Sequence, residues 1–306
     1  MEDMKLIVAP SPHLRDRDTT EKIMFAVLLS LVPAIAASIY FFRWDAVRLI
    51  LLAAGAAVAT EAIFQRVRKK PIMVGDGSAL LTGVLLALTV PPSLPSWMVI
   101  LGAVVAIAIG KQVFGGLGQN PFNPALVGRA FLTASFASAM TAWTVPFDAV
   151  TAATPLALGA ARSDIPALFF GNVAGSLGET SALAILIGGI YLFYRGVLDY
   201  RITVGTLGTV TVFALLAGQD PIFHLLAGSV LFGAVFMATD PVTSPITPLG
   251  RWIFGVGIGV IIMVIRLWGG YPEGVTFAIL FMNAVTPLLN RWTRPRIYGH
   301  GVKANE

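Results

Sequence analysis

Between two blocks of membrane-length apolar sequence runs the string Asp148-Ala-Val-Thr151-Ala-Ala-Thr154-Pro155-Leu156. Thr154 offers a hydroxyl that follows two alanines and precedes a proline, whose ring restricts the conformation of the residue before it. An ester to a phosphate needs a hydroxyl on an accessible, small-residue turn of this kind. Taken alone, the string reads equally as a loop in which Asp148 and Thr151 close local turns through side-chain to backbone hydrogen bonds. Other residues able to do chemistry are few. Cysteine is absent, which excludes thiol chemistry and iron-sulfur ligation by this chain, and the three histidines (13, 224 and 300) are too scattered to suggest a metal cluster. There remain Asn120 and Asn123, each before a proline in a Gly-rich stretch, Arg129 inside an apolar run, and the carboxylates Glu61 and Asp240 near the ends of two others. Ionisable groups at membrane depth are ion-path candidates, although for Glu61 and Asp240 a solvated helix end reads equally well.

The elements that must position these residues are membrane helices. Of the 306 residues 56% are hydrophobic and 12% charged, about half the charge of a soluble domain. A spanning helix needs about twenty apolar residues, fewer when broken or re-entrant. On that ruler ten runs qualify: 23–42, 46–64, 78–90, 97–113, 124–140, 181–194, 202–217, 222–239, 252–268 and 275–290. With the N-terminus inside, sixteen Lys and Arg fall on the inner side. Only Arg43, Arg48, Arg162 and Arg266 fall outside, and Arg129 stays within a span. This bias predicts ten spans with both termini cytoplasmic. The basic residues form short clusters between apolar runs and no single patch, so nucleic acid is not a predicted partner. No small-residue cleavage site follows the basic N-terminal stretch, so the first run is expected to remain as a helix.

The chain repeats itself. Residues 81–95, LTGVLLALTVPPSLP, align without gaps on 231–245, LFGAVFMATDPVTSP, at an offset of 150. Leu81/Leu231, Gly83/Gly233, Thr89/Thr239, Pro91/Pro241 and Pro95/Pro245 are identical. The copies lie in the third and eighth spans, so the halves are predicted to be inverted repeats with broken helices at their interface. The predicted organisation is an N-terminal cytoplasmic segment (1–22), a first five-helix repeat (23–140), an external connection (141–180), a second five-helix repeat (181–290) and a cytoplasmic tail (291–306). The fold class is thus an all-α integral membrane protein.

Five stretches carry a family resemblance from end to end: SPHLRDRDTTEKIMFAVLLSLVPA at 11–34, GQNPFNPALVGRAFL at 118–132, Thr151-Ala-Ala-Thr154-Pro155-Leu156, GSLGETSALAILIGG at 175–189 and FMATDPVTSPITPLGR at 236–251. Together they resemble the family formed by the D subunits of the Rnf electron-transport complexes and their homologues, the B subunits of the sodium-pumping NADH:quinone reductases. The latter carry a longer N-terminal region, so length favours the former. The 151–154 string is similar to the Ser/Thr-Gly-Ala-Thr signature at which those subunits esterify the last threonine to the phosphate of FMN, with Ala152 where the signature has glycine. The resemblance implies a membrane flavoprotein within an ion-translocating oxidoreductase, with FMN on Thr154 and Thr151 and Asp148 supporting it. It also implies a non-covalent riboflavin near the cytoplasm lined by Asn120 and Asn123. Arg129 is expected to pair with a carbonyl, a carboxylate or a flavin, or to snorkel to the cytoplasmic interface. Implied partners are a second flavin subunit, small iron-sulfur and membrane subunits, and peripheral subunits handling ferredoxin and NAD.

A channel or transporter would use the same inverted repeats and broken helices. It has no need of a roughly forty-residue connection carrying a threonine-proline motif, and that connection favours the flavin subunit. A structural membrane subunit without flavin stays open at Ala152.

Overall fold

The computed structural model describes residues 19–147, 151–152 (backbone), 156, 164–269 and 273–295. Thr154 and Asp148 lie outside the described residues. Thirteen helices are described: α1 (Thr20–Ser30), α2 (Val32–Val67), α3 (Ser78–Leu88), α4 (Ser96–Ile107), α5 (Pro124–Ser135), α6 (Ala137–Met140), α7 (Ile165–Phe170), α8 (Ala182–Tyr194), α9 (Tyr200–Leu216), α10 (Pro221–Leu226), α11 (Val230–Phe232), α12 (Pro248–Trp268) and α13 (Val275–Trp292). A two-residue antiparallel pair, β1 (Trp143–Thr144) and β2 (Thr151–Ala152), sets Thr144 opposite Thr151. The protein is otherwise all-α among the described residues.

Capping chemistry sets many helix starts. Asn123, Asp220 and Thr247 each accept main-chain N–H bonds at an N-terminus whose next residue is proline, where the ring's fixed φ suits the first turn and its missing N–H costs nothing. Ser181 and Asp199 cap α8 and α9 in the same way. Two stretches are long and apolar enough to cross a membrane, 20–67 and 248–268. The first is bent at Arg43 (φ 50, ψ −123), the boundary expected between the first two runs. A wall of apolar side chains from α2, α3, α4, α5, α8, α9, α12 and α13 forms one continuous core. Close helix approaches depend on glycine: a Cβ at Gly83 would stand 2.6 Å from the Ala53 carbonyl oxygen, and one at Gly255 2.6 Å from that of Ile202.

Several expectations change. The run 124–140 breaks at Phe136 (φ −134, ψ 49) into α5 and α6. The run 222–239 breaks over 227–229 and closes as a π-turn, Gly233–Met237, through the bond from Ala238 N to Gly233 O (2.8 Å). A second π-turn, Ala108–Gln112, ends α4. The last part of the presumed external connection threads back into the bundle. Ser176, Leu177, Glu179 and Thr180 are all buried, Gly178 N donates to Leu88 O (2.7 Å), and Ser38 Oγ donates to Leu177 O (2.6 Å). Small side chains let it do so: a Cβ at Gly178 would meet Leu88 Cβ at 2.8 Å.

Candidate functional site

Asn123 caps α5 through its Oδ1, which accepts from Ala125 N (3.1 Å) and Leu126 N (3.4 Å), while its Nδ2 donates to Met237 O (3.3 Å). Asn283 on α13 accepts from Asn123 N (3.2 Å) and donates to Thr243 O (3.2 Å). The two halves of the chain are thereby tied at one buried amide pair. Beside it lies a small cavity of about 60 Å³ lined by Met24, Val27, Leu81, Leu85, Leu192 and Phe236, with Ser78, Lys111, Asn120, Asn123 and Asp240 among its polar groups. Asn120 is 4% exposed and its Oδ1 has no hydrogen-bond partner among the described residues, so an acceptor stands buried and unmet in this wall. Asn120 Nδ2 donates to Phe122 O (3.1 Å), so both asparagines bond to nearby backbone, and both also line the cavity.

Asp240 follows the π-turn Gly233–Met237. Its Oδ2 accepts from Thr243 Oγ1 (3.0 Å) and its Oδ1 from Val242 N (3.4 Å). Burial holds its carboxyl above the ordinary value, against the pull of the Thr243 hydroxyl and the Val242 amide.

Glu61 is no solvated helix end. It is 1% exposed, with Lys111 Nζ at 2.8 Å, and it also accepts from Gln112 Nε2 (2.9 Å) and Gln65 Nε2 (3.3 Å). Lys111, counted by sequence as an interfacial cation, is 1% exposed and donates further to Ser78 Oγ (2.5 Å). The pair separates two spaces. Lys111 faces the asparagine cavity, and Glu61 faces a wider cleft with Gln65, Asp76 and Gln112.

Arg129 does not snorkel. Six residues along α5 from the cap, it is 4% exposed, paired with Glu273 and 3.5 Å from Glu179, and its Nη1 donates to Ser229 Oγ (3.3 Å). The Ser229 hydroxyl donates in turn to Glu273 (3.1 Å). Arg266, counted by sequence on the outer side, is part-buried and donates to His224 O (2.6 Å) and Ala227 O (2.7 Å) at the end of α10. One buried and one part-buried cation and two carboxylates thus gather from α5, α12 and two connections. Sequence reasoning missed Glu179, Glu273 and Ser229, although GETSALAIL was already singled out; a glutamate abutting an apolar run was its available signal.

The string that carries Thr154 is held at both sides. Phe147 N donates to Phe41 O (3.2 Å), a carbonyl near the Arg43 bend, and the Phe147 ring packs edge-on against Tyr40 and Phe41. Leu156 packs with Leu168, Phe223 and Ala227. Between these anchors, Thr151 pairs by its backbone with Thr144.

Buried ion pairs and capped half-helices inside an apolar bundle define an α-helical protein of membrane type. A family model described as "NQR2, RnfD, RnfE family" matches residues 7–299, and the chain belongs to that family. It is 50% identical over 309 residues to the D subunit of the Na(+)-translocating ferredoxin:NAD(+) oxidoreductase complex of Acetobacterium woodii, covering 98% of this chain and 97% of that one. It is 43% identical to the D subunit of the proton-translocating ferredoxin:NAD(+) oxidoreductase complex of Clostridium ljungdahlii (95% and 96% covered). With the D subunit of the ion-translocating oxidoreductase complex of Citrobacter koseri the identity is 39% (96% and 99% covered).

Proposed function

We propose that this chain is the membrane flavoprotein subunit of an ion-translocating ferredoxin:NAD oxidoreductase complex, passing electrons through FMN esterified to Thr154. The observation that carries the reading is the near full-length likeness to D subunits of such complexes, in a chain that keeps a threonine before Pro155. Its partners are the other subunits of that complex. Bound flavin supplies the one- and two-electron chemistry, and the protein supplies position and potential. Phe147 and Leu156 anchor the flanks of the attachment string, which limits where a group on Thr154 can go.

Asn120 and Asn123 are the residues to hold a second, non-covalent flavin, riboflavin. Support comes from the apolar walls of their cavity and from the unmet acceptor of Asn120, which suits a ring N–H. Ten spans in two inverted halves with cytoplasmic termini are supported by the Lys and Arg distribution and by parallel packing in the halves: α2 and α5 flank α4 as α9 and α13 flank α12. Glu61 and Asp240, on either side of Lys111, are the carboxylates of the ion path.

The test is covalent flavin. Expressed with its maturing transferase, the denatured chain should fluoresce in a gel, and the peptide containing Thr154 should gain the mass of one FMN. Thr154→Ala should abolish both signals; Thr151→Ala should weaken and retain them. A wild-type chain without covalent flavin under these conditions would overturn the electron-transfer reading in favour of a transporter-like subunit.

A further inference from the structure

We propose that Glu179 is a buried proton-binding site, carrying its proton at neutral pH, so that Arg129, Arg266 and Glu273 around it present one net positive charge to the wall on which Leu156 lies.

The geometry makes Glu179 the carboxylate without donors. It is 5% exposed, and among the described residues neither of its oxygens accepts a hydrogen bond of normal geometry, the hydroxyls of Ser176 and Ser229 standing near it as weak neighbours. Its nearest cation, Arg129 Nη1, stands 3.5 Å away, and that guanidinium is already engaged by Glu273 and Ser229. The Ser229 proton is committed to Glu273. Arg266 is turned to the carbonyls of His224 and Ala227. An ionised carboxylate buried without donors is costly, and taking up a proton removes the cost. Ser176 Oγ, buried three residues earlier and unpartnered among the described residues, is a neighbouring hydroxyl that can donate to the charged carboxylate or accept from the neutral one. The electrostatics agree: burial first, then the Glu273 carboxylate, push the Glu179 carboxyl up to about 8, against Arg129 and the hydroxyls of Ser176 and Ser229. Glu179 sits in the connection ahead of α8, outside the spanning helices.

With Glu179 neutral, two guanidinium charges face one carboxylate. The surplus reaches the attachment string through Gly228 (φ +70), where a Cβ would stand 2.7 Å from Leu156 Cδ1, 3.0 Å from Arg266 Nη2 and 3.7 Å from Glu273 Oε1. This last step rests on the attachment of FMN to Thr154: a phosphate diester there carries one negative charge, which the surplus offsets.

The test is infrared difference spectroscopy of the full chain in lipid. A protonated-carboxyl C=O band should be present at pH 7 and fade as pH rises through about 8. Glu179→Gln, a neutral mimic of near-equal shape, should lack it. Glu273→Gln keeps Glu179 and removes a neighbouring negative charge, so the midpoint of the band should move down. Absence of the band at pH 7, its persistence in Glu179→Gln, or an unmoved midpoint in Glu273→Gln would overturn the proposal. The flavin gel separates the two readings, since a wild-type chain without flavin sinks the Thr154 assignment and leaves the infrared result standing.

Discussion

Replacing Lys111 by methionine keeps an unbranched apolar stem and removes the ammonium, leaving Glu61 charged in a site where its side chain is 2% exposed. Glu61 would keep the amide donors of Gln112 and Gln65 and lose its only cation among the described residues, while Ser78 Oγ would lose a donor. Removing one partner of a buried pair costs about 3–5 kcal/mol, because the other charge is left without compensation. Unfolding entropy of about 2 cal/mol/K per residue gives roughly 0.6 kcal/mol/K over this chain, so the melting temperature should fall by roughly 5–8 °C. The double variant Lys111→Met with Glu61→Gln removes both charges and should recover most of the loss, since neutral groups of similar volume replace buried pairs at little cost. The assay is thermal unfolding of the purified protein in one detergent, with the four members of the cycle side by side. Losses that simply add in the double variant would refute the coupling, and with it the role of the pair as a wall between the two spaces.

Asn123→Ala should cost about 1–2 kcal/mol, read from the same melts, because it deletes the α5 cap and frees Met237 O; Asn123→Asp keeps the cap acceptor but sets a buried carboxylate oxygen against Met237 O, so it should lower the melting temperature as well. Asp240→Asn should lower ions pumped per electron in membranes while bound flavin stays normal, and unchanged pumping would reduce Asp240 to a turn former held by Thr243 and Val242.

Helices were legible in the sequence because their causes are local. Apolar runs of membrane length, a cap residue next to a proline, and an interruption at Phe41-Phe-Arg-Trp-Asp45 all act within a few residues. The resemblance to the family was legible for the same reason, as contiguous motifs. What the tertiary structure decided is where the charges go. Lys111 and Arg266 look like interfacial cations and Glu61 like a helix end, since a lone charged residue near the end of an apolar run has water within reach of its side chain. Only packing shows that Glu61 and Lys111, fifty residues apart, share a dry site, or that Arg129 meets Glu273 across 144 residues. The π-turns that end α4 and follow α11 leave no composition signal, yet the second exposes the Met237 carbonyl that Asn123 holds. The connection 171–181 reads as an exterior loop by polarity, and it enters the bundle because Gly178 and its small neighbours let backbone pair with the end of α3. Local chemistry thus sets which segments are helices. The partner of a buried charge is set by desolvation, which acts through space between segments distant in the chain and so has no local trace.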